Sequence, residues 1–160
     1  MRQQAISIAV SFAFAVLSLA PRPAAAQAAP KPSNVPYDGE LAKKLGGDAS
    51  GMRGYVLVIL KTGPNKVPEG PARTTMFEGH FANIARLAAE KKLALAGPLD
   101  GADGWRGIFV MATPDIDQAK KLVETDPVIV SGEMVAEYHK FYGSAGLMMV
   151  NEIHNKIQKK

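Results

Sequence analysis

The 160-residue chain has no cysteine. Disulfide bracing, thiol catalysis and thiolate metal ligation are excluded, so stability has to come from packing. A strong charge of one sign is also missing, with 19 Lys and Arg against 15 Asp and Glu. Once Arg2 and Arg22 leave with an N-terminal leader the excess falls to two, and no nucleic-acid partner is expected, because such partners call for a clustered basic face. Histidine is scarce: His80, His139 and His154 are the three present, with neither i,i+4 pairing nor another ligand spacing. No metal site and no bound cofactor are expected. The glycines of "GADG" and those near Pro64 lack the strand-loop-helix setting of a phosphate loop, and no serine stands in a G-x-S-x-G elbow. Long apolar runs are absent as well, since the stretch from Ala5 to Ala20 falls short of the roughly 20 residues that a bilayer core requires.

That stretch follows a charged start and ends in small residues, with Ala24-Ala25-Ala26 supplying an A-x-A cleavage site before Gln27. Residues 1–26 are expected to be a secretory signal peptide. Without a twin arginine or a lipid-accepting cysteine, the expectation is a periplasmic or secreted protein with no stable membrane anchor. The remainder is of single-domain size. Residues 27–50 read as linker and N-terminal extension: an Ala/Pro/Lys/Ser tether to about Pro36, then "YDGELAKKLGGD", a short helix closed by Gly46-Gly47.

From here the pattern is regular. "GYVLVILKTG" is a continuous apolar run, the mark of a strand buried on both faces. Thr75 and Glu78 have capping-box spacing and predict a helix from about Met76 to Lys92, with Phe77, Phe81, Ile84 and Ala88 as its inner stripe. "LALAGPL" predicts a second strand, at an edge because Pro98 cannot donate to a ladder. "WRGIFVMA" predicts a third. Thr113 as N-cap and Pro114 at the first position open a second helix to about Thr125, with Ile116, Ala119 and Val123 inward. "DPVIVSGEM" reads as a connector, and "VAEYHKFYG" as the fourth strand. The order β-α-β-β-α-β gives an α+β fold of ferredoxin-like type, both helices covering one face of a four-stranded antiparallel sheet. Two central strands apolar on both sides leave the opposite face in need of cover. A homodimer packed sheet to sheet supplies it, the alternative being burial by residues 38–44 and the C-terminal segment. In "SAGLMMVNEIHNKIQKK", Val150, Ile153 and Ile157 have helical spacing and predict a docking helix.

Candidate chemistry gathers at one end of this sheet. His80 lies three residues after Phe77 and four before Ile84, on the inward flank of the first helix. Topology brings the ends of the second strand and second helix to the edge where that helix starts, so Asp100 and Asp126 are both candidate partners. An imidazole oriented by a carboxylate makes a general base. The plainer readings are a packed core histidine, a turn aspartate at Asp100 and a cap at Asp126. Trp105 and Tyr142 are candidate pocket walls. His139, in the fourth strand, lines either a cavity or the dimer interface, and His154 is expected to be exposed.

"GYVLVIL", "GHFANIARLAAEKKLALAGPLDG", "WRGIFVMA" and "AKKLVETDPVIVSGEMVAEYHKFYG" together resemble the YciI-like (YCII-related domain) family over Gly54 to Gly143. The resemblance implies a dimeric α+β barrel of ferredoxin-like subunits, similar to muconolactone-isomerase-type proteins, occupying residues 51–143 and followed by a C-terminal helical tail at 144–160. It also implies an active site built on a His and an Asp: the His falls on His80, while Asp100 and Asp126 both match motif positions for the Asp. A few members of that family are linked to elimination or dehalogenation of ring compounds. The leader, the N-terminal extension and the tail depart from the family pattern. The expectation is a homodimeric protein with a small-molecule ligand, an isomerase- or lyase-type enzyme using His80 with Asp100 or Asp126. The alternative is a non-catalytic ligand-binding or assembly module of the same fold.

Overall fold

The computed structural model describes residues 35–159. The expected signal peptide and most of the tether lie outside that range. From Gly39 onward the elements are α1 (Gly39–Lys44), β1 (Met52–Thr62), α2 (Pro71–Ala89), β2 (Leu93–Pro98), β3 (Trp105–Met111), α3 (Ile116–Val123), α4 (Pro127–Val130), β4 (Met134–Ser144) and α5 (Val150–Ile157). The sheet order is β2-β3-β1-β4 with every neighbour antiparallel. This is the ferredoxin-like arrangement, with the proline-bearing β2 at an edge.

Alternation along β1 sends its side chains to two faces. Val56, Val58 and Leu60 join Phe109 and Met111 under Met76 and Leu87 of α2 and Ala119 and Val123 of α3, forming the main core. Tyr55 points the other way, into a smaller cluster with Ala94 and Val110. Part of this second face is covered by the 3-10 turn at Ala145–Met149, whose Leu147 and Met148 pack on that cluster. Asn151 fastens the segment by donating from Nδ2 to the Leu93 carbonyl at 2.8 Å. The tail therefore docks through Leu147, Met148 and Asn151, whereas Ile153 and Ile157, expected in the inner stripe, are exposed.

Three boundaries differ from expectation, each for a local reason. Helix α2 starts at Pro71, five residues before the expected start, because Gly70 serves as its N-cap and proline suits the first position. Thr75 and Glu78 thus fall inside the helix, and no capping box forms. Helix α3 is capped by Asp115, whose carboxylate accepts from the Asp117 and Gln118 N–H groups, so Thr113 lies outside the helix. The expected connector contains α4, a single turn capped by Asp126 with Pro127 at its start.

The loop before α2 is held by a buried carboxylate. Glu133, 2% exposed, accepts from the Val67 N–H at 2.7 Å and pairs with Arg73 at 2.8 Å. Burial pushes this carboxyl upward, but the Val67 hydrogen bond, Arg73 and the more distant Arg106 outweigh it, so its pKa lies below the ordinary 4.5. A carboxyl depressed in the fold stabilises fully above its unfolded value and loses that contribution as pH falls below 4.5 through the folded value. Glu133→Gln is expected to lower stability by about 1.5–3 kcal/mol at neutral pH. Urea unfolding should show the gap to wild type closing as the pH is taken into the acid range.

Candidate functional site

Helix α2 buries Met76, His80, Asn83 and Leu87. This stripe is offset by one residue from the apolar one expected, which changes the meaning of both. Phe77, Phe81 and Ile84 lie on the flank of the contact, where Phe81 is 64% exposed, and they form one wall of a cavity instead of the centre of the core. Two polar residues occupy the centre because a carboxylate meets them there.

That carboxylate is Asp126. It is 0% exposed, and each of its oxygens lies 2.9 Å from His80 Nδ1. Oδ2 also accepts from Asn83 Nδ2 at 3.3 Å, and Oδ1 from the Val128 N–H at 3.1 Å. A second tier orders Asn83, whose Oδ1 accepts from Arg86 Nη2 at 2.6 Å. One group therefore caps α4 and holds the imidazole, which accounts for a fully buried charge being tolerated. The contact depends on close approach of two helices. A Cβ on Gly79 would lie 2.9 Å from Pro127 Cγ, so only glycine lets α4 press against α2 one residue before His80.

Asp100 is not brought to His80. Its carboxylate accepts from the Ala102 N–H at 3.0 Å in an exposed turn that continues through Gly101 at φ 84°. His80 lies nine residues beyond Pro71, about 14 Å along the axis instead of one turn, and its Nδ1 is taken up by Asp126.

An ionised carboxylate only accepts hydrogen bonds, so His80 Nδ1 is the donor to Asp126, and in the neutral imidazole the lone pair is on Nε2. Among the described residues Nε2 makes no hydrogen bond. The ring is bounded by aromatic side chains, with Phe81 at 5.3 Å, Phe109 stacked at 6.1 Å and Phe77 edge-on at 6.2 Å between centroids. It borders a cavity of about 420 Å³ between α2 and the β2–β3 edge of the sheet, lined otherwise by Leu60, Ile84, Ala96, Met134 and their neighbours. The small residues Ala96, Gly97 and Gly107 leave this room, and Arg106 lies on its boundary. The volume suits a small organic molecule. The arrangement can take a proton from a carbon or heteroatom held in apolar surroundings, and return it.

The other candidates lie elsewhere. His139 is exposed on β4, opposite Leu57 on the face away from the helices, with Nε2 2.8 Å from Glu137 Oε1. His154 is exposed on α5. Trp105 and Tyr142 are largely exposed and are not among the cavity-lining residues, and the Tyr142 hydroxyl donates to Asp48. Asn83 and Arg106 had no sequence motif to single them out, although an asparagine three residues after an inward histidine is a usable sign of a buried polar network.

The close approach at Gly79 makes a testable link between packing and tautomer. Alanine is the better helix former by about 1 kcal/mol, but overpacking against Pro127 costs about 1–3 kcal/mol. Gly79→Ala is expected to lose up to about 2 kcal/mol net. In long-range proton–nitrogen spectra, wild-type His80 should show a protonated Nδ1 and a bare Nε2, and the variant a tautomer mixture. An Nδ1 without a proton in the wild type would contradict the hydrogen-bond assignment.

Residues 54–141 match the YCII-related domain family. A 54-residue stretch is 35% identical to "Uncharacterized protein YjpA" of Bacillus subtilis (strain 168), covering 34% of this chain and 61% of that protein. The chain thus aligns with less than two thirds of that relative's length. The family match takes in more than half of the sequence and includes β1 from Gly54 onward, all of α2 and the His80–Asp126 pair, and the chain belongs to the YCII-related domain family.

Proposed function

We propose that this protein is an acid/base enzyme acting on a small organic molecule, with His80 as the proton-transfer group and Asp126 as its positioning residue. The observation that carries the reading is a His80 Nδ1 locked to a fully buried carboxylate while Nε2 is left unbonded beside an apolar cavity. In the reaction, Nε2 takes a proton from a carbon of the substrate. The C–H electron pair forms a new double bond; in an isomerisation the π pair of an adjacent double bond moves to its far carbon, which takes the proton back, and in an elimination a leaving group on the adjacent carbon departs with its electron pair. Asp126 stabilises the imidazolium formed in either case. The leader sequence supports export of the mature chain to the periplasm or beyond.

The second face of the sheet supports a homodimer. Leu57 and Ile108 are half-buried there, and Phe141 and Val135 are 37% and 44% exposed, a patch that a second copy would cover. Light scattering of the mature chain at micromolar concentration is expected to report a dimer, and Phe141→Asp a monomer. A wild-type monomer throughout would remove the dimer from the proposal.

For the chemistry, a panel of small carbon acids is incubated in deuterated water and followed by proton NMR. Wild type is expected to exchange, isomerise or eliminate at least one. His80→Gln, which retains an N–H donor for Asp126, should lose about 10²–10⁴-fold in rate with little change in melting. Ligands that bind without any of these reactions would make the protein a ligand-holding module.

A further inference from the structure

The antiparallel pairing of β1 and β3 is regular from Val56↔Met111 to Leu60↔Gly107, then shifts, so that Lys61 faces Trp105 and Arg106 has no partner on β1. Arg106 is the extra residue of a β-bulge. Strict alternation would place it with Ile108 and Val110, on the face away from α2. The bulge re-aims it, and its side chain borders the cavity that His80 borders.

The surroundings of Arg106 leave its guanidinium undersubscribed. Its ion-pair contact is a loose one, 3.9 Å from Glu133 Oε1. That carboxylate is already held by Arg73 at 2.8 Å and by the Val67 N–H at 2.7 Å. Arg73 is further engaged with the Val67 carbonyl at 2.9 Å, with Glu69 at 3.3 Å and over the Phe77 ring at 5.0 Å. Among the described residues the Arg106 side chain makes no hydrogen bond. A planar fork of N–H donors with one distant, shared counter-charge is suited to a carboxylate taken two-pronged from solution. The rest of the cavity, with Leu60, Phe77, Ile84, Phe109 and Met134, offers apolar contact.

We infer that Arg106 is the recognition residue for an anionic substituent, and that the ligand class is a small, largely apolar carboxylic acid whose carboxylate pairs with Arg106 while its body lies against His80. The inference rests on the acid/base reading only for what happens next, because recognition is measurable without turnover. The bulge fixes where the carboxylate binds, and so which carbon is presented to Nε2.

Benzoate and benzamide serve as probes of the same size and different charge, titrated while the backbone amides of Phe81, Ile84, Ala96 and Phe109 are followed in proton–nitrogen spectra. Benzoate is expected to bind at least tenfold more tightly than benzamide. Arg106→Met should abolish that preference, and Arg106→Lys, which keeps the charge without the fork, should retain part of it. His80→Gln should leave the preference in place, separating recognition from chemistry. Equal binding of the two probes, perturbation by neither, or an unchanged ratio in Arg106→Met overturns the assignment. If the preference stands but no carbon acid is turned over, the acid/base reading falls and the carboxylate site remains.

Discussion

A carboxylate cannot be buried without full compensation, and Asp126 is the point at which this fold meets that condition. Its compensation comes from three places: an imidazole and an amide on α2, and the first turn of α4 that it caps itself. The first two are near Asp126 only because α4 lies directly against α2. The helix approach is permitted by Gly79 and shaped by Pro127, which starts α4 and supplies the surface that Gly79 meets. Removing any part leaves a buried charge short of partners, a large penalty in a low-dielectric interior. The same arrangement orients His80, so under the proposed acid/base reading the condition for stability is also the condition for reactivity at Nε2.

The cavity follows from the way α2 sits on the sheet. Its buried centreline is Met76, His80, Asn83 and Leu87, which tilts Phe77, Phe81 and Ile84 toward the β2 edge. There the sheet presents Ala96, Gly97 and Gly107 instead of large residues, so the two surfaces do not fill the space between them. The result is a cavity bordered by the imidazole of His80 and the loosely paired guanidinium of Arg106, of a size that suits a small molecule. The bulge at Arg106 breaks alternation at a strand end that borders the cavity.

The far face of the sheet is only partly provided for. Leu147 and Met148 cover the cluster around Tyr55, and Asn151 anchors the covering segment to the backbone of β2. Toward Val135 and Phe141 apolar side chains remain open to solvent. A second copy, if it binds there, would complete in the assembly what the tail begins in the single chain.

Much of this architecture was legible in the residues. Continuous apolar runs set by β-branched residues marked β1 and β3, helical spacing marked α2, α3 and α5, and their order fixed the ferredoxin-like fold and placed His80 on a buried flank, because local periodicity reports which side of an element is dry. Two candidate aspartates remained because both lie at chain positions that topology sends toward one edge. Choosing between them required the start of α2 at Pro71, which sets how far along the axis His80 lies, and the closeness of α4, which a sequence encodes only as a glycine and a proline 48 residues apart. Likewise, a bulge is a mismatch between two strands and has no signature in either one alone. The sequence by itself determined the four strands, the two main helices, their order and the inward face of the histidine; only the tertiary structure decided its partner, the cavity beside it and the direction of Arg106, since these depend on distances between segments that no local pattern records.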